Sequence, residues 1–436
     1  ARLHLHGLAD AEVRALVAAL RGADPGPRLA TELGTRTGGN PFFLGELARL
    51  PDTARAGPEA AVPEPVRDVV LRRVARLPEQ VGSLLSTAAV AGLVFDATTV
   101  VEVAGHDPEA GLDELDTAVA AGLLTEDADR LGSVRFTHAL VRDALVAQHS
   151  RLRRARLHRR FGQVTARRLG GRPERAGEVA RHWLAAAELD ADTAATAAGH
   201  AARAARAAEA RLAHEDAVGM WQEALAAAAL ADLGDRFDLL LGLTRSQHAA
   251  GHVPDGLALL DQLLAAAGDD PHRVAQAAVA VFGSSMWYPF PYGSRPVALL
   301  AALERAAERL DGPSADRALV LAALGAVLAH LGEFADAPAV ADRATAVARS
   351  VGDPALLARV LHLGLLATTG ADGDPRSWEI AAELAALPGA PPELAASARI
   401  VTSSGLVCTG RIDDAVAMLD ELGPVLAELR SPMLEL

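Results

Sequence analysis

At 436 residues and 50% hydrophobic content, the chain has apolar material for about two to four domains, and its 3% aromatics and abundant alanine point to helices packed closely through small side chains. No apolar run of about 18 residues is free of charge, the longest being Ala318–Ala329, and no signal peptide pattern is visible, so a membrane span is excluded and a cytoplasmic location expected. The single cysteine, Cys408, excludes an internal disulfide, and the net charge of −14 is spread unevenly, as the arginines of residues 142–181 show below.

Residues 1–50 begin with an apolar start (Leu3, Leu5), followed by a helix over Asp10–Leu20 with Asp10 as its expected N-cap. A loop rich in glycine and proline leads to a helix near Arg28–Thr35, then to TGGNPFFL at Thr37–Leu44. There Gly38 and Gly39 permit a sharp turn, Asn40 braces it, and Pro41 suits the first turn of a helix anchored by Phe42, Phe43, Leu44 and Leu47. Residues 51–65, rich in proline and alanine, read as a linker.

Residues 66–170 have the order of a winged helix. A lead helix at Val66–Leu77 precedes helices at Glu79–Gly92, Ala97–Ala104 and Pro108–Ala121, then strands at Leu123–Thr125 and Val134–Thr137. The polar turn Glu126–Ser133 would form the wing. The third helix of that set carries Glu109, Asp113, Glu114 and Asp116 and no cation, so it would repel a phosphate backbone and direct DNA contact is not expected. Beyond it, RFTHALVRDAL at Arg135–Leu145 runs from a strand into a helix with His138 at the junction, where an imidazole and a helix N-terminus could face a phosphate.

Between Arg142 and Arg181 there are twelve arginines against Asp143, Glu174 and Glu178, leaving the rest of the chain at about −23. The run RLRRARLHRR at Arg151–Arg160 invites a nucleic-acid reading. Its arginines, however, flank an apolar stripe of Leu152, Leu157, Phe161 and Val164, as on a solvated helix face, and Phe161 is the only ring present for stacking.

Residues 171–436 read as paired helices forming an α-solenoid. First helices start near Asp192, Asp235, Pro271, Ser314, Pro354 and Pro392, with spacings of 36, 43, 40 and 38 from Asp235 onward. Gly251, Gly332 and Gly410 mark turns inside the pairs, ahead of second helices such as Asp255–Ala267, Ala335–Ser350 and Asp413–Leu422. The segments beginning at Gly332 and Gly410 resemble the turn of tetratricopeptide repeats, at periods above the usual value of about 34. Interrupting one repeat, between a helix ending near Gly283 and one starting near Pro296, lies Met286-Trp-Tyr-Pro-Phe-Pro-Tyr292, where Trp287, Tyr288, Phe290 and Tyr292 are held by Pro289 and Pro291. It suits an effector or partner contact, and equally a loop that packs its rings into the neighbouring repeat.

No GxxxxGK[ST] phosphate loop and no lysine occur, so a complete ATPase site is not expected and the chain itself is not expected to be an enzyme. His4 with His6, and His248 with His252, lack a carboxylate or thiol at ligand spacing, so no metal site is expected. The first residue is not Met, and Val425–Leu436 stop within a helical pattern, which suggests a piece of a longer protein.

TGGNPFFL resembles the element that ends the ATPase module of large LuxR-type transcriptional regulators of high-GC bacteria and related STAND-type signalling ATPases. RFTHALVRDAL resembles the Met-His-Asp element of STAND switch proteins. The resemblance implies that Pro41 lies near an adenine, with Asn40 beside it, and that His138 contacts the β-phosphate of ADP; Ala139 stands where the family has Asp. It also implies a fold that is mainly α, a winged-helix domain followed by an α-solenoid of TPR-like repeats, after the helical end of an ATPase module. ATP or ADP would bind only in the intact parent, whose ATPase domain is one expected partner. The function it implies is signal sensing and protein interaction in an ATP-dependent transcriptional regulator, with an effector or partner on the solenoid. Two other readings stay open: an oligomerisation scaffold, homodimeric and without a small-molecule ligand, and the regulatory arm of a cyclase or kinase.

Overall fold

Alanine and glycine dominate the helix contacts of this chain, and the computed structural model shows what they permit. It describes residues 7–48, 64–127, 130–169, 171–283, 287–368 and 375–429. The apolar start at Leu3 and Leu5, the pair His4 and His6, Met286, the side chain of Phe42 and nearly all of the 51–65 linker lie outside these residues. The chain divides into two compact units, Ala1–Ala197 and Ala198–Leu436.

In the first unit, α1 (Asp10–Arg21), α2 (Gly26–Thr37) and α3 (Pro41–Ala48) are followed by α4 (Glu64–Val74) and α5 (Glu79–Ala91). Asp10 is not the N-cap of α1. Ala9 holds that position, its N–H donating to the Glu12 carboxylate at 2.8 Å, while Asp10 accepts from the Thr31 hydroxyl at 2.8 Å and ties α1 to α2. Next come β1 (Val94–Asp96), α6 (Ala97–Ala104), α7 (Pro108–Ala120), β2 (Leu124–Glu126) and β3 (Ser133–Phe136). The strands form one antiparallel sheet in the order β1-β3-β2, with Phe95 opposite Val134 and Thr125 opposite Arg135. The helices and the strands β2 and β3 follow one another in the order expected from the sequence, with β1 as an addition.

Asp96 caps α6 through Thr99 N–H at 2.8 Å, and Asp107 caps α7 through Glu109 and Ala110 N–H at 3.1 Å. Gly111 brings α7 so close to Val101 of α6 that a Cβ there would clash. On α7, Glu109, Asp113 and Asp116 face solvent, and Glu114 meets His106 Nδ1 at 2.6 Å.

The unit continues through α8 (Ala139–Val146), α9 (Arg151–Leu169) and α10 (Ala176–Ala186), past the boundary at residue 170 drawn from the sequence. One apolar core joins Val13, Leu33, Leu44 and Leu47 of the first helices to Leu84, Val100, Phe136, Leu140 and Phe161, so α1–α3 share a core with the elements that follow. Leu152 is 54% exposed and drops out of the stripe expected on α9, whereas Phe161 and Val164 are buried. Four of the eight arginines of α9 make ion pairs. Arg151 meets Glu188 at 2.6 Å, Arg159 meets Asp190 at 3.1 Å, Arg168 meets Glu102 at 2.7 Å, and Arg167 also pairs with Glu102. Each exposed pair contributes little stability.

Helix α11 (Ala191–Glu209) carries the division between the units. The second unit then contains α12 (His214–Leu230), α13 (Phe237–Ala249), α14 (Val253–Leu257), α15 (Leu260–Ala267), α16 (Pro271–Phe282), α17 (Val297–Arg309), α18 (Ala315–His330), α19 (Ala337–Val351), α20 (Pro354–Thr368), α21 (Pro375–Ala386), α22 (Pro392–Cys408) and α23 (Ile412–Leu429). The second helix expected at Asp255–Ala267 is broken into α14 and α15; otherwise the paired helices fall where the spacing predicts. First helices pack on one another in sequence, α13 on α16, α16 on α18, α18 on α20 and α20 on α22, giving an α-solenoid. These helices are apolar on nearly every face; α20 buries every residue from Val360 to Thr368.

Three tryptophans seat on helix glycines: Trp183 on Gly162, Trp221 on Gly242 and Trp378 on Gly405. A Cβ at Gly242 would sit well inside van der Waals contact with the Trp221 ring, which is 1% exposed and donates its indole N–H to Glu209 at 2.9 Å. Gly242→Ala is therefore expected to lower the urea-unfolding free energy by about 1–3 kcal/mol through overpacking.

Burial also holds several histidines neutral. His158, His200 and His248 are pushed down to about 4, and His182, stacked on Phe161 with its Nδ1 3.0 Å from His158 Nδ1, is pushed down to about 2. The unfolded chain takes up these protons near pH 6.5, the folded chain only near or below 4. Stability from this source is thus present above about pH 6.5 and lost on acidification. The unfolding free energy should fall between pH 7.5 and 5.0, and His182→Phe should make that fall shallower.

Candidate functional site

The two motifs singled out in the first unit meet in space. Gly38, at φ 59°, and Gly39, at φ 69°, make a turn that only glycine adopts without strain, and the Gly39 carbonyl accepts from Leu8 N–H at 2.8 Å. Asn40 Oδ1 accepts from Phe43 N–H at 3.4 Å, so Asn40 acts as an N-cap with Pro41 exposed at the first position of α3. His138 precedes α8 with extended backbone and makes no capping hydrogen bond. Its ring lies edge-on to Phe43 at 5.8 Å, and its Nδ1 is enclosed against Gly38 without a hydrogen-bond partner. Burial, then the nearby Arg73 guanidinium, lowers its pKa, so the ring is held neutral.

The second unit contains a cleft of about 460 Å³, a size typical of small-molecule sites. Its walls come from the α11–α12 turn (Leu212, His214), the end of α13 (Arg245, His248), the end of α16 (Val279, Phe282), the aromatic loop, Arg359 of α20, Glu393 and Leu394 of α22, and Leu429 of α23. His248 is 7% exposed, its Nε2 has no hydrogen-bond partner, and Gly256 and Gly283 give it room. A neutral imidazole there can donate or accept one hydrogen bond, but it brings no charge.

The four rings of the aromatic loop have divided roles. Phe290 is buried against Phe282 at 5.8 Å and His330 at 5.4 Å. Tyr288 packs on His330 at 5.3 Å and donates its hydroxyl hydrogen to the Leu366 carbonyl, and burial raises its pKa to about 12. His330 Nε2 lies 3.0 Å from the Ser294 carbonyl and holds the far end of the loop. Trp287 is 65% exposed and lines the cleft, as Tyr288 and Pro289 do; Tyr292 is fully exposed and lies outside its lining. Tyr288 and Phe290 thus place Trp287, and Tyr292 belongs to neither group.

Arg245, Arg359, His248 and Leu212 were not legible as site residues, because they come from three different repeats. The one local signal was Leu212 in a turn where other pairs carry glycine. Among the described residues no group of three or more His, Cys, Asp or Glu side chains could hold a metal ion, and no helix is long and apolar enough to cross a membrane.

Gly38→Ala would place a Cβ 2.6 Å from His138 Nδ1 in left-handed backbone, and is expected to cost about 2 kcal/mol. In a His138→Ala background the cost should shrink by at least about 0.5 kcal/mol, a coupling that a double-mutant cycle of urea-unfolding free energies reads directly.

Solved structures similar to this chain include the following two. A signal transduction ATPase with numerous domains carrying a tetratricopeptide repeat sensor, from Pyrococcus horikoshii, matches 99% of this chain and 68% of its own at 14% identity, with a TM-score of 0.35. A Rap protein complexed with competence and sporulation factor matches 83% of this chain and 99% of its own, also at 14% identity, with a TM-score of 0.38. No family model and no curated protein matches the sequence.

Proposed function

We propose that this chain is the regulatory and signal-sensing region of a cytoplasmic, ATP-dependent transcriptional regulator of the STAND type, and that it reads an effector in the cleft of its helical repeats. The observation that carries the reading is the cleft itself: an apolar cavity of about 460 Å³ edged by Arg245, Arg359 and Glu393, with Trp287 held at its wall. In this reading Asn40, Pro41 and His138 form the surface that answers to nucleotide on an ATPase domain of the same protein, and the chain performs no chemistry itself. The contact of His138 with Gly38 and Phe43 supports it, since both motifs then move as one piece. The anionic face of α7 supports a winged helix used for packing and regulation instead of DNA contact.

A second reading, an oligomerisation scaffold, draws on the last helix pair, where Val407, Ile412, Val416 and Leu419 are all about half exposed. A thermal-shift screen of a metabolite panel, run beside light scattering, separates the two. Effector sensing requires at least one compound to raise Tm by about 2 °C or more, with the shift lost in Trp287→Ala at unchanged basal Tm. Tyr288→Ala should instead lower the basal Tm. Absence of any shift, together with a concentration-dependent dimer, supports the scaffold.

A further inference from the structure

Building on the effector-cleft reading, we propose that the ligand is an apolar organic monoanion, its carboxylate held by Arg245 and Arg359 and its body lying along Leu212, Val253, Phe282 and Trp287. The apolar walls supply burial, and the charge balance supplies the sign. Arg245 and Arg359 make no ion pair or hydrogen bond among the described residues, whereas Arg273 meets Asp235, Arg309 meets Asp269 and Arg349 meets Glu383 elsewhere in the same unit. Against these two guanidinium groups the cleft has one carboxylate, Glu393, so its lining is net positive in a chain whose formal charge is −14. Guanidinium groups match carboxylates in geometry and in charge.

Leu212 is an independent sign that the cleft is built for contact. In the turns inside three other pairs, Gly251, Gly332 and Gly410 take positive φ (85°, 86° and 79°) and donate to the carbonyl three residues earlier, while the next N–H donates to the carbonyl five residues before it. Leu212 makes the same turn: its N–H donates to Glu209 and that of Ala213 to Ala208, at φ 57°. A γ-branched residue is strained where glycine is not. The side chain it presents lines the cleft, which gives the strained residue a use.

Octanoate and 1-octanol, alike in chain and different in charge, are the probes, titrated calorimetrically against the full chain at pH 7. Octanoate should bind at least about tenfold more tightly than octanol, and Arg245→Gln with Arg359→Gln should abolish the difference at unchanged Tm. Leu212→Gly should keep or raise Tm and weaken octanoate at least about threefold; Trp287→Ala should weaken both probes. Equal binding of the two probes overturns the anion assignment while leaving an apolar effector cleft in place, as does a preference that survives the double substitution. No binding of either probe overturns the cleft reading together with the assignment.

Discussion

Close approach between helices that carry almost no side-chain volume is the constraint on which the structure depends. A core of alanines offers little area per residue, so stability has to come from many short contacts and few voids. Ala318, Ala322, Ala323 and Ala326 line one helix of the solenoid with nearly no exposure, and α20, which packs on it, is as closely covered. The bulkiest rings, those of tryptophan, enter such a core where a neighbour gives up its Cβ. Gly162, Gly242 and Gly405 do so for three of the four tryptophans, and each pairing locks two helices at a defined crossing.

The same constraint explains where the rings of Trp287 and Tyr292 went. With inner helices packed on all sides, a loop bearing four rings has little room inside the stack. Phe290 and half of Tyr288 find room around His330, and the remaining rings stay near the surface. The cleft arises at this place, between helix ends and a loop that proline stiffens.

Much of the fold was legible because it rests on local signals. Proline at Pro271, Pro354 and Pro392 opens helices where the pattern puts them, and Gly251, Gly332 and Gly410 turn the pairs. Strand β1 was missed because Val94–Asp96 is three residues long and pairs with a strand some forty positions on, with no alternation of its own. The N-cap of α1 was misplaced because Asp10 is a good capping residue by type but is drawn away by Thr31. Leu152 was assigned to the buried stripe because periodicity alone does not say where a helix leaves the core. In the candidate sites, Asn40, Pro41, His138 and Trp287 stood out through composition and motif. Arg245, Arg359 and His248 did not, since an unpaired arginine and an orphaned imidazole are facts of three dimensions.

The hydroxyl of Tyr288 reaches the carbonyl of Leu366, seventy-eight residues away and two helix pairs further along. Repeat arrays ordinarily hold together through neighbours alone, so that one end can fray while the other stays intact. This tether skips a neighbour and closes a long loop across the middle of the array, binding the third, fourth and fifth pairs into one cooperative block. Loosening of the fifth pair would release the tyrosine, and with it the wall on which Trp287 stands. A ligand seated on that wall would thereby be coupled to the integrity of the array, acting as a clamp on a stretch of chain much longer than the surface it touches.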